Sequence, residues 1–241
     1  MTNQVRSRIT EDLTTLYLRL NGYFTTGFML HSPEWTKLHA EIDCLAVRFP
    51  HSSETERGIG PDPALETSSS HIDLLVCEVK CKGEALQFNK PIRKDADRFA
   101  RVLRWSGLFS PEQVGDLAKR LLDALTPKPI AEWSIPLVPV DERIQIRGVV
   151  SSPERLIANR RRTDPWYLGG DQIMDYAWRC LCPEAPRPTS STSYDYTRWG
   201  YLEPIVRYFK ARKSNGPGKI NDLYSYLSRC QPESQPSQPK P

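Results

Sequence analysis

The segment from residue 71 to 81, HIDLLVCEVKC, limits what this chain can fold into more than any other. Its length and its leucine and valine content are those of a β-strand, and apolar side chains stand at both odd and even positions. A strand that is apolar on both faces lies inside a sheet whose two sides are covered by helices. We therefore predict an α/β fold with this segment as a central strand.

The residues before this strand predict one helix and two further strands. Apolar residues recur at three- and four-residue steps over 5–20, which indicates an amphipathic helix ended by an Asn-Gly pair. Apolar and aromatic runs at 23–30 and 40–49 predict strands. Three prolines and a run of serines within 50–70 predict a long loop without a packed element.

The residues after the central strand predict mainly helices. A basic amphipathic helix is expected first, at 91–105, and a second helix at 111–125 starts from a Ser-Pro-Glu-Gln cap. Isoleucines alternate with polar residues at 143–150, which predicts one more strand. The remaining expected segments are a Pro-rich break at 126–139, a helix at 171–181, a Pro/Ser/Thr linker at 182–193 and short amphipathic helices at 203–213 and 220–229.

These elements divide the chain into a core and an appendage. Residues 1–182 form the expected core, with a mixed central sheet flanked by helices, and 183–230 form a helical C-terminal extension. Residues 231–241, QPESQPSQPKP, have the composition of a disordered tail. A length of 241 residues fits this division and excludes a multidomain machine.

Charge and composition exclude some classes of function. The 33 basic and 29 acidic residues leave a formal net charge of +4, which permits a nucleic-acid partner without demanding one. No apolar run reaches the roughly 18 residues of a membrane span, so we expect no membrane partner. The first residues lack the apolar region of a secretion signal, so we expect a cytoplasmic protein with reduced cysteines. The spacing of the six cysteines disfavours a zinc site.

Charged residues interrupt the apolar strands at two places. Glu41 and Asp43 stand two apart in the second strand and therefore share a face, as do Glu78 and Lys80 in the third. If these strands are neighbours, three carboxylates and one ammonium converge at one point. Because the face that carries Glu78 is otherwise apolar, the charges there need a role.

The chemistry of this constellation suits a metal ion. Burying an unpaired carboxylate costs several kcal/mol, so buried carboxylates are paired or hold a metal. Asp43 and Glu78 offer the hard oxygen ligands that Mg²⁺ and Mn²⁺ prefer. A metal held there neutralises a phosphate oxygen and activates water, with Lys80 positioning that water, which indicates phosphodiester hydrolysis. A structural salt bridge between Lys80 and Asp43 is the alternative that the sequence leaves open.

At these residues the chain resembles the PD-(D/E)xK, or restriction-endonuclease-like, nuclease superfamily. The matching text is Glu41-Ile42-Asp43 and the run from Leu74 to Lys80, and the element order over about residues 5–150 resembles the αβββαβ core of that fold. Ile42 departs from the proline that some members have there. The resemblance implies a restriction-endonuclease-like fold and a metal-dependent nuclease.

The resemblance also implies roles for individual residues. Asp43 and Glu78 would bind the divalent metal together with the backbone carbonyl of Val79. Lys80 would position the attacking water.

Accessory acidic residues are also implied. Some members of the superfamily add an acidic residue from the first helix, a place that Glu11 or Asp12 fills here. Glu41 is either a neighbour that supports the metal ligands or an exposed residue.

Basic residues on either side of the constellation predict a phosphate-binding surface. Residues 90–105 carry six basic and two acidic residues. Residues 198–219 carry six basic residues and one acidic residue, with aromatic residues interleaved. Tyr201 and Phe209 are better explained by packing onto the core. The candidate nucleic-acid contacts are Arg93, Lys94, Arg98 and Arg101 on the basic helix and Arg160, Arg161 and Arg162 in a loop.

Three functions stay open from the sequence. The first is a Mg²⁺- or Mn²⁺-dependent nuclease that hydrolyses DNA, by family analogy a component of prokaryotic defence or restriction, or a repair enzyme. The second is a non-catalytic member of the same fold that binds nucleic acid or a protein partner. The third is a structural subunit in which the charges merely pair. A homo-oligomer is compatible with all three.

Overall fold

A computed structural model gives the architecture of most of the chain. The described residues are 1–30, 40–53, 58–67, 70–125, 135–160, 164–182 and 196–230. Within these ranges no helix has the length and apolar character needed to cross a membrane. The predicted tail at 231–241 and most of the predicted linker lie outside the described residues.

The described residues form one mixed six-stranded sheet. Its strands are β1 (Phe24–Leu30), β2 (Ala40–Arg48), β3 (Ile72–Val79), β4 (Leu137–Pro139), β5 (Ile144–Ser152) and β6 (Leu168–Gly169). The order across the sheet is β1-β2-β3-β5-β4, and the short β6 pairs in parallel with the end of β5, on the side away from β3. Strands β1, β2 and β3 are antiparallel neighbours, whereas β3 and β5 run parallel. The predicted α/β class with a mixed central sheet is therefore confirmed.

Helices cover both sides of this sheet. They are α1 (Asn3–Leu20), α2 (Lys90–Arg93), α3 (Ala96–Ser106), α4 (Pro111–Leu125), α5 (Gly170–Leu181), α6 (Glu203–Arg212) and α7 (Ile220–Cys230). On one face, α1 and α5 to α7 share a buried cluster with Cys44, Leu75 and Cys77. On the other, α2 to α4 pack against Leu74 and Val76. The central position predicted for the third strand is confirmed, because its side chains are buried in both clusters.

The C-terminal helices pack into the same cluster as the first helix. Phe209 of α6 and Leu223 of α7 are fully buried in that cluster. Glu154, just after β5, joins the two ends of the chain. Its Oε1 accepts from Arg6 Nη2 at 2.5 Å and from the Tyr224 hydroxyl at 2.8 Å. Residues 196–230 therefore contribute to the core that the sequence assigned to 1–182.

The expectation of an unpacked loop over 50–70 is wrong for its second half. Residues Pro63–Leu65 form a 3₁₀ helix, and Leu65 is fully buried. Asn21 anchors this segment, because its Oδ1 accepts from the Asp62 backbone N–H at 2.7 Å. The high content of proline and serine correctly indicates that the segment has no long helix or strand. The burial of Leu65 and the hydrogen bond to Asn21 nevertheless pack it onto the core.

Two further expectations are corrected. The basic helix is broken into α2 and α3, because the Asp95 side chain accepts from the Asp97 N–H at 3.0 Å and so starts a new helix. The Pro-rich break before the last long strand contains the edge strand β4. The polar residues that alternate with isoleucines in β5 are themselves buried: Arg147 is only 5% exposed and forms an ion pair with Asp73.

Candidate active site at the end of the third strand

The site lies where β2 and β3 stop pairing. The last paired residues are Cys44 and Cys77, so the next step of the same register sets Asp43 opposite Glu78. Leu45 and Val76 are the preceding pair on the same face, and both are buried under α2 to α4. The apolar face therefore becomes acidic within one residue pair, as the sequence pattern predicts.

A shift in strand register places Asp43 in an irregular stretch of β2. Thr26 pairs with Leu45 and Phe28 pairs with Ile42, so Gly27 faces both Asp43 and Cys44. Such β-bulges bend a strand and re-aim a side chain, and they are frequent next to active sites. Asp43 is thus positioned by a local departure from regular pairing that residue spacing alone does not reveal.

Asp43 reaches across to the end of β3. Its Oδ2 accepts a hydrogen bond from the Val79 backbone N–H at 2.6 Å. In a β-strand the N–H and C=O of one residue point to the same side, so the Val79 carbonyl also points toward β2. Asp43 and the Val79 carbonyl therefore lie on the same side of β3, as a shared metal site requires.

Glu78 is fully buried, and only one of its two carboxylate oxygens has a hydrogen-bond partner among the described residues. Its Oε1 accepts from Lys80 Nζ at 2.6 Å, whereas its Oε2 is buried with no hydrogen-bond partner among the described residues. Burial raises the pKa of Glu78 to about 7, the charge of Asp43 adds to the increase, and Lys80 opposes it. A buried carboxylate oxygen without a donor costs about 1–3 kcal/mol or more, so its retention calls for a functional reason.

Lys80 is held from several directions. Besides Glu78, its Nζ donates to Asn89 Oδ1 at 2.8 Å, and the residue is only 6% exposed. Its backbone N–H donates to the Ser151 carbonyl at 2.8 Å, and its carbonyl accepts from Ser152 Oγ at 2.9 Å. The sequence left open a structural salt bridge between Lys80 and Asp43, and the structure shows an ion pair between Lys80 and Glu78.

The sequence reading missed Asn89, which ends the loop after β3. This loop is anchored by Phe88, which is 2% exposed and packs with the ring of Phe99. Asn89 occupies the cap position of α2, yet its side chain makes no capping hydrogen bond. Its position before Lys90-Pro91 is typical of a helix start, so the sequence alone favours a capping role over a contact with Lys80.

A second residue missed from the sequence is Glu84, in the same loop. Its Oε2 accepts from the Cys81 N–H at 2.6 Å, and its charge contributes to the raised pKa of Glu78. It adds to the negative potential around the site without entering the buried centre, since Glu84 is exposed.

The accessory acidic residues are placed differently from the main group. Glu11 accepts from Ser7 Oγ at 3.0 Å within α1, the helix that covers the opposite face of the sheet. Asp12 lies on the same helix near Arg8, and burial raises its pKa to about 6. Glu41 is in β2, and its side chain lies outside what the structure describes. The geometry thus brings Asp43, Glu78 and Lys80 together, and it leaves the roles of Glu11 and Glu41 as predictions.

The candidate nucleic-acid contacts fall into two groups. Arg93 donates through Nε to the Phe88 carbonyl at 2.7 Å, and Arg98 pairs with Asp95 at 3.1 Å, so both have partners within the protein. Lys94 and Arg101 are exposed.

In the loop, Arg160 is half-buried, with its guanidinium 5.5 Å from the centre of the Tyr167 ring, and Arg161 and Arg162 lie outside the described residues. In the C-terminal segment, Phe209 is buried as expected, but the packing expected for Tyr201 is wrong, because it is 58% exposed.

The donor set suits a hard divalent cation. It comprises the Asp43 carboxylate, the orphaned Oε2 of Glu78 and the Val79 carbonyl, which are all oxygen ligands. Cys77 belongs to the opposite cluster, and burial raises its thiol pKa well above the ordinary value, so it is neither a ligand nor a nucleophile here. No group of three or more His, Cys, Asp or Glu side chains with metal-binding geometry occurs in the described part of the chain.

Comparison of the chain with protein-family models, curated proteins and solved structures finds no match. The assignment of a function therefore depends on the site itself.

Proposed function

We propose that this protein is a divalent-metal-dependent nuclease with a restriction-endonuclease-like core, acting on DNA phosphodiester bonds. The observation that carries the proposal is the orphaned Oε2 of Glu78, fully buried beside Asp43 at the end of the central strand. In the part of the chain that the structure describes, this carboxylate oxygen has no protein donor, although a second carboxylate and a carbonyl lie at the same strand end. A metal ligand is the role that gives such an oxygen a partner.

Each residue of the site has a defined task in this proposal. Asp43, Glu78 and the Val79 carbonyl would hold Mg²⁺ or Mn²⁺, which when bound supplies Lewis acidity toward a phosphate oxygen. Lys80 would offer an N–H to the reacting centre, where an ammonium stabilises developing negative charge and orients water. The burial of Glu78 and Lys80 excludes bulk water, so these charges act at close range.

The path of the substrate follows from the helix that begins beside Lys80. Asn89, which contacts Lys80, immediately precedes α2, and Lys94 follows at the other end of this short helix. Lys94 and Arg101 are exposed, so their charges are available to phosphates. We propose that DNA lies along α2 and α3 with its scissile phosphate at Glu78.

The proposal is tested with supercoiled plasmid and with oligonucleotides in Mg²⁺, in Mn²⁺ and in chelator. Wild-type protein is expected to cleave only with metal. Asp43→Ala and Lys80→Ala are each expected to lower the cleavage rate by about 10²–10⁴-fold, because each removes a group that acts in the transition state. Asp116→Ala is the matched control, since Asp116 is an exposed carboxylate on α4.

Two results contradict the proposal. One is cleavage that persists in chelator, and the other is activity that survives both Asp43→Ala and Lys80→Ala. The thermal midpoint of each variant is measured alongside, so that lost activity is separated from lost fold.

A second candidate function is a non-catalytic protein that binds nucleic acid or a partner on the same scaffold. The ion pair between Lys80 and Glu78 favours it, because a purely structural pair has this form. This candidate predicts metal-independent DNA binding without cleavage, and unchanged binding in Asp43→Ala.

A further inference from the structure

We infer that Asn89 is a positioning residue that holds the Lys80 ammonium in place for the proposed reaction, so the inference rests on the proposed function. Its side-chain oxygen lies 2.8 Å from Lys80 Nζ. An ammonium group has three donors and no acceptor, so an Asn side chain at hydrogen-bond distance must present its oxygen to it. The chemistry of the lysine therefore fixes the orientation of the amide.

The side chain of Asn89 does not make the capping hydrogen bond that is usual at its position. Asparagine before a helix normally accepts from a backbone N–H in the first turn. In α2 only the backbone carbonyl of Asn89 does so, accepting from the Ile92 and Arg93 N–H groups at 3.0 and 3.1 Å. The amide oxygen serves Lys80 instead of the helix.

The segment that carries Asn89 is anchored to the fold by its neighbour Phe88. Phe88 is buried in the cluster under α3 and α4, and its carbonyl accepts from Arg93 Nε at 2.7 Å. Arg93, a candidate phosphate contact from the sequence, thus fixes the residue next to Asn89. The backbone of Lys80 is hydrogen-bonded to β5 on both its N–H and its carbonyl, so the contact joins two segments that are each anchored to the fold.

The two acceptors of Lys80 then have different roles. In the proposed function Glu78 also binds the metal, whereas Asn89 is neutral and is not a metal ligand. Among the described residues, Glu78 and Asn89 take two of the three ammonium protons, which leaves one for water or a phosphate oxygen. Asn89 keeps Lys80 in position when Glu78 is engaged.

The first test is steady-state cleavage by Asn89→Leu and Asn89→Asp. Leucine has nearly the same size without an acceptor, so kcat is expected to fall about 10- to 100-fold with KM for DNA unchanged. Aspartate keeps an acceptor oxygen and is expected to restore most of the rate. In a Lys80→Ala background, Asn89→Leu is expected to cost nothing further, because the two residues act as a unit. An additional loss in that background, or wild-type kcat in Asn89→Leu, overturns the inference and leaves the proposed function standing.

The second test does not depend on activity. Acetylation of lysines by an N-hydroxysuccinimide ester, followed by mass spectrometry, measures how tightly Lys80 is held. We expect several-fold faster acetylation of Lys80 in Asn89→Leu than in wild type or Asn89→Asp, with exposed Lys119 of α4 as the internal control. Equal rates in all three proteins show that Asn89 does not hold Lys80. If wild-type protein cleaves no substrate in either metal, the proposed function and the catalytic part of this inference both fail, and acetylation still decides the contact.

Discussion

Two fully buried carboxylates stand five residues apart in β3, and their surroundings are opposite. Asp73 accepts from four groups: the Tyr23 hydroxyl, Gln145 Nε2, and both Nε and Nη2 of Arg147. Glu78 accepts from Lys80 and keeps one oxygen without a donor among the described residues. The first arrangement is typical of a structural ion pair, and the second of a group kept for a ligand.

The difference predicts opposite effects of removing each charge. Asp73→Asn is expected to lower the free energy of unfolding by about 3–5 kcal/mol, because it leaves the buried Arg147 without its counter-ion. Glu78→Gln also removes the charged partner of Lys80, but it keeps an acceptor oxygen, and it removes a carboxylate whose ionisation at pH 8 burial opposes, so it is expected to raise the free energy of unfolding at that pH. Urea unfolding of both variants measures this, with Asp116→Asn as the exposed control. Destabilisation by Glu78→Gln as large as that by Asp73→Asn contradicts the ligand role.

The pH dependence of stability has a definite sign. The pKa of Glu78 is about 7 in the folded protein and about 4.5 in the unfolded chain, so folding favours its protonated form. Its contribution is fully present below the unfolded value and is lost as pH rises through about 7, a loss on the order of 3 kcal/mol. The contribution of Glu78 is isolated by comparing the free energy of unfolding of wild type and Glu78→Gln at pH 5 and at pH 8. We expect similar stability at pH 5 and a more stable variant at pH 8, and equal pH slopes contradict the assignment.

At the scale of elements, α2 and α3 carry the proposed substrate path. Lys94→Glu combined with Arg101→Glu is expected to weaken DNA binding and to reduce the slope of log K against log salt by about 2, because each phosphate contact contributes about 0.9. Fluorescence anisotropy at several salt concentrations measures both. Lys119→Glu on α4 is the matched control, since it changes the same charge on an exposed lysine of another helix. An unchanged slope in the double variant contradicts the path.

Arg93 and Arg98 are expected to behave differently from these two. Their guanidinium groups bond to Phe88 and Asp95. Arg93→Ala is therefore expected to loosen the segment that carries Phe88 and Asn89. We expect the resulting loss of kcat to be larger than the loss of DNA affinity.

At the scale of the whole molecule, the C-terminal helices are part of the main core. Leu202, Ile205 and Phe209 share a buried cluster with α1 and α5. A chain of residues 1–182 exposes this cluster, so we expect it to lose its cooperative thermal transition, while a chain of residues 1–230 keeps it. Differential scanning calorimetry distinguishes the two. A cooperative transition for 1–182 near the wild-type midpoint would show that the extension is a separate unit.

The sequence allowed much of the fold and the centre of the site to be predicted, because both depend on residue spacing. The two-sided apolar pattern of β3 predicted its central position, and the pairs around Asp43 and Glu78 predicted their convergence. Contacts made by returning loops were not predictable: Asn89 meets Lys80, and Asp62 meets Asn21, only after the chain has folded. The register shift at Asp43 and the burial of Arg147 also depend on neighbouring strands, which residue spacing does not specify.

The central claim is that Asp43 and Glu78 form a metal centre, and Mn²⁺ binding followed by electron paramagnetic resonance tests it most directly. At pH 8, where Glu78 is ionised, wild-type protein and Asp116→Asn are predicted to remove Mn²⁺ from the free-ion signal, and Asp43→Asn and Glu78→Gln are predicted not to. Binding by wild type is predicted to weaken below about pH 7 as Glu78 takes up a proton. Equal Mn²⁺ binding by all four proteins, or none by wild type, contradicts the claim.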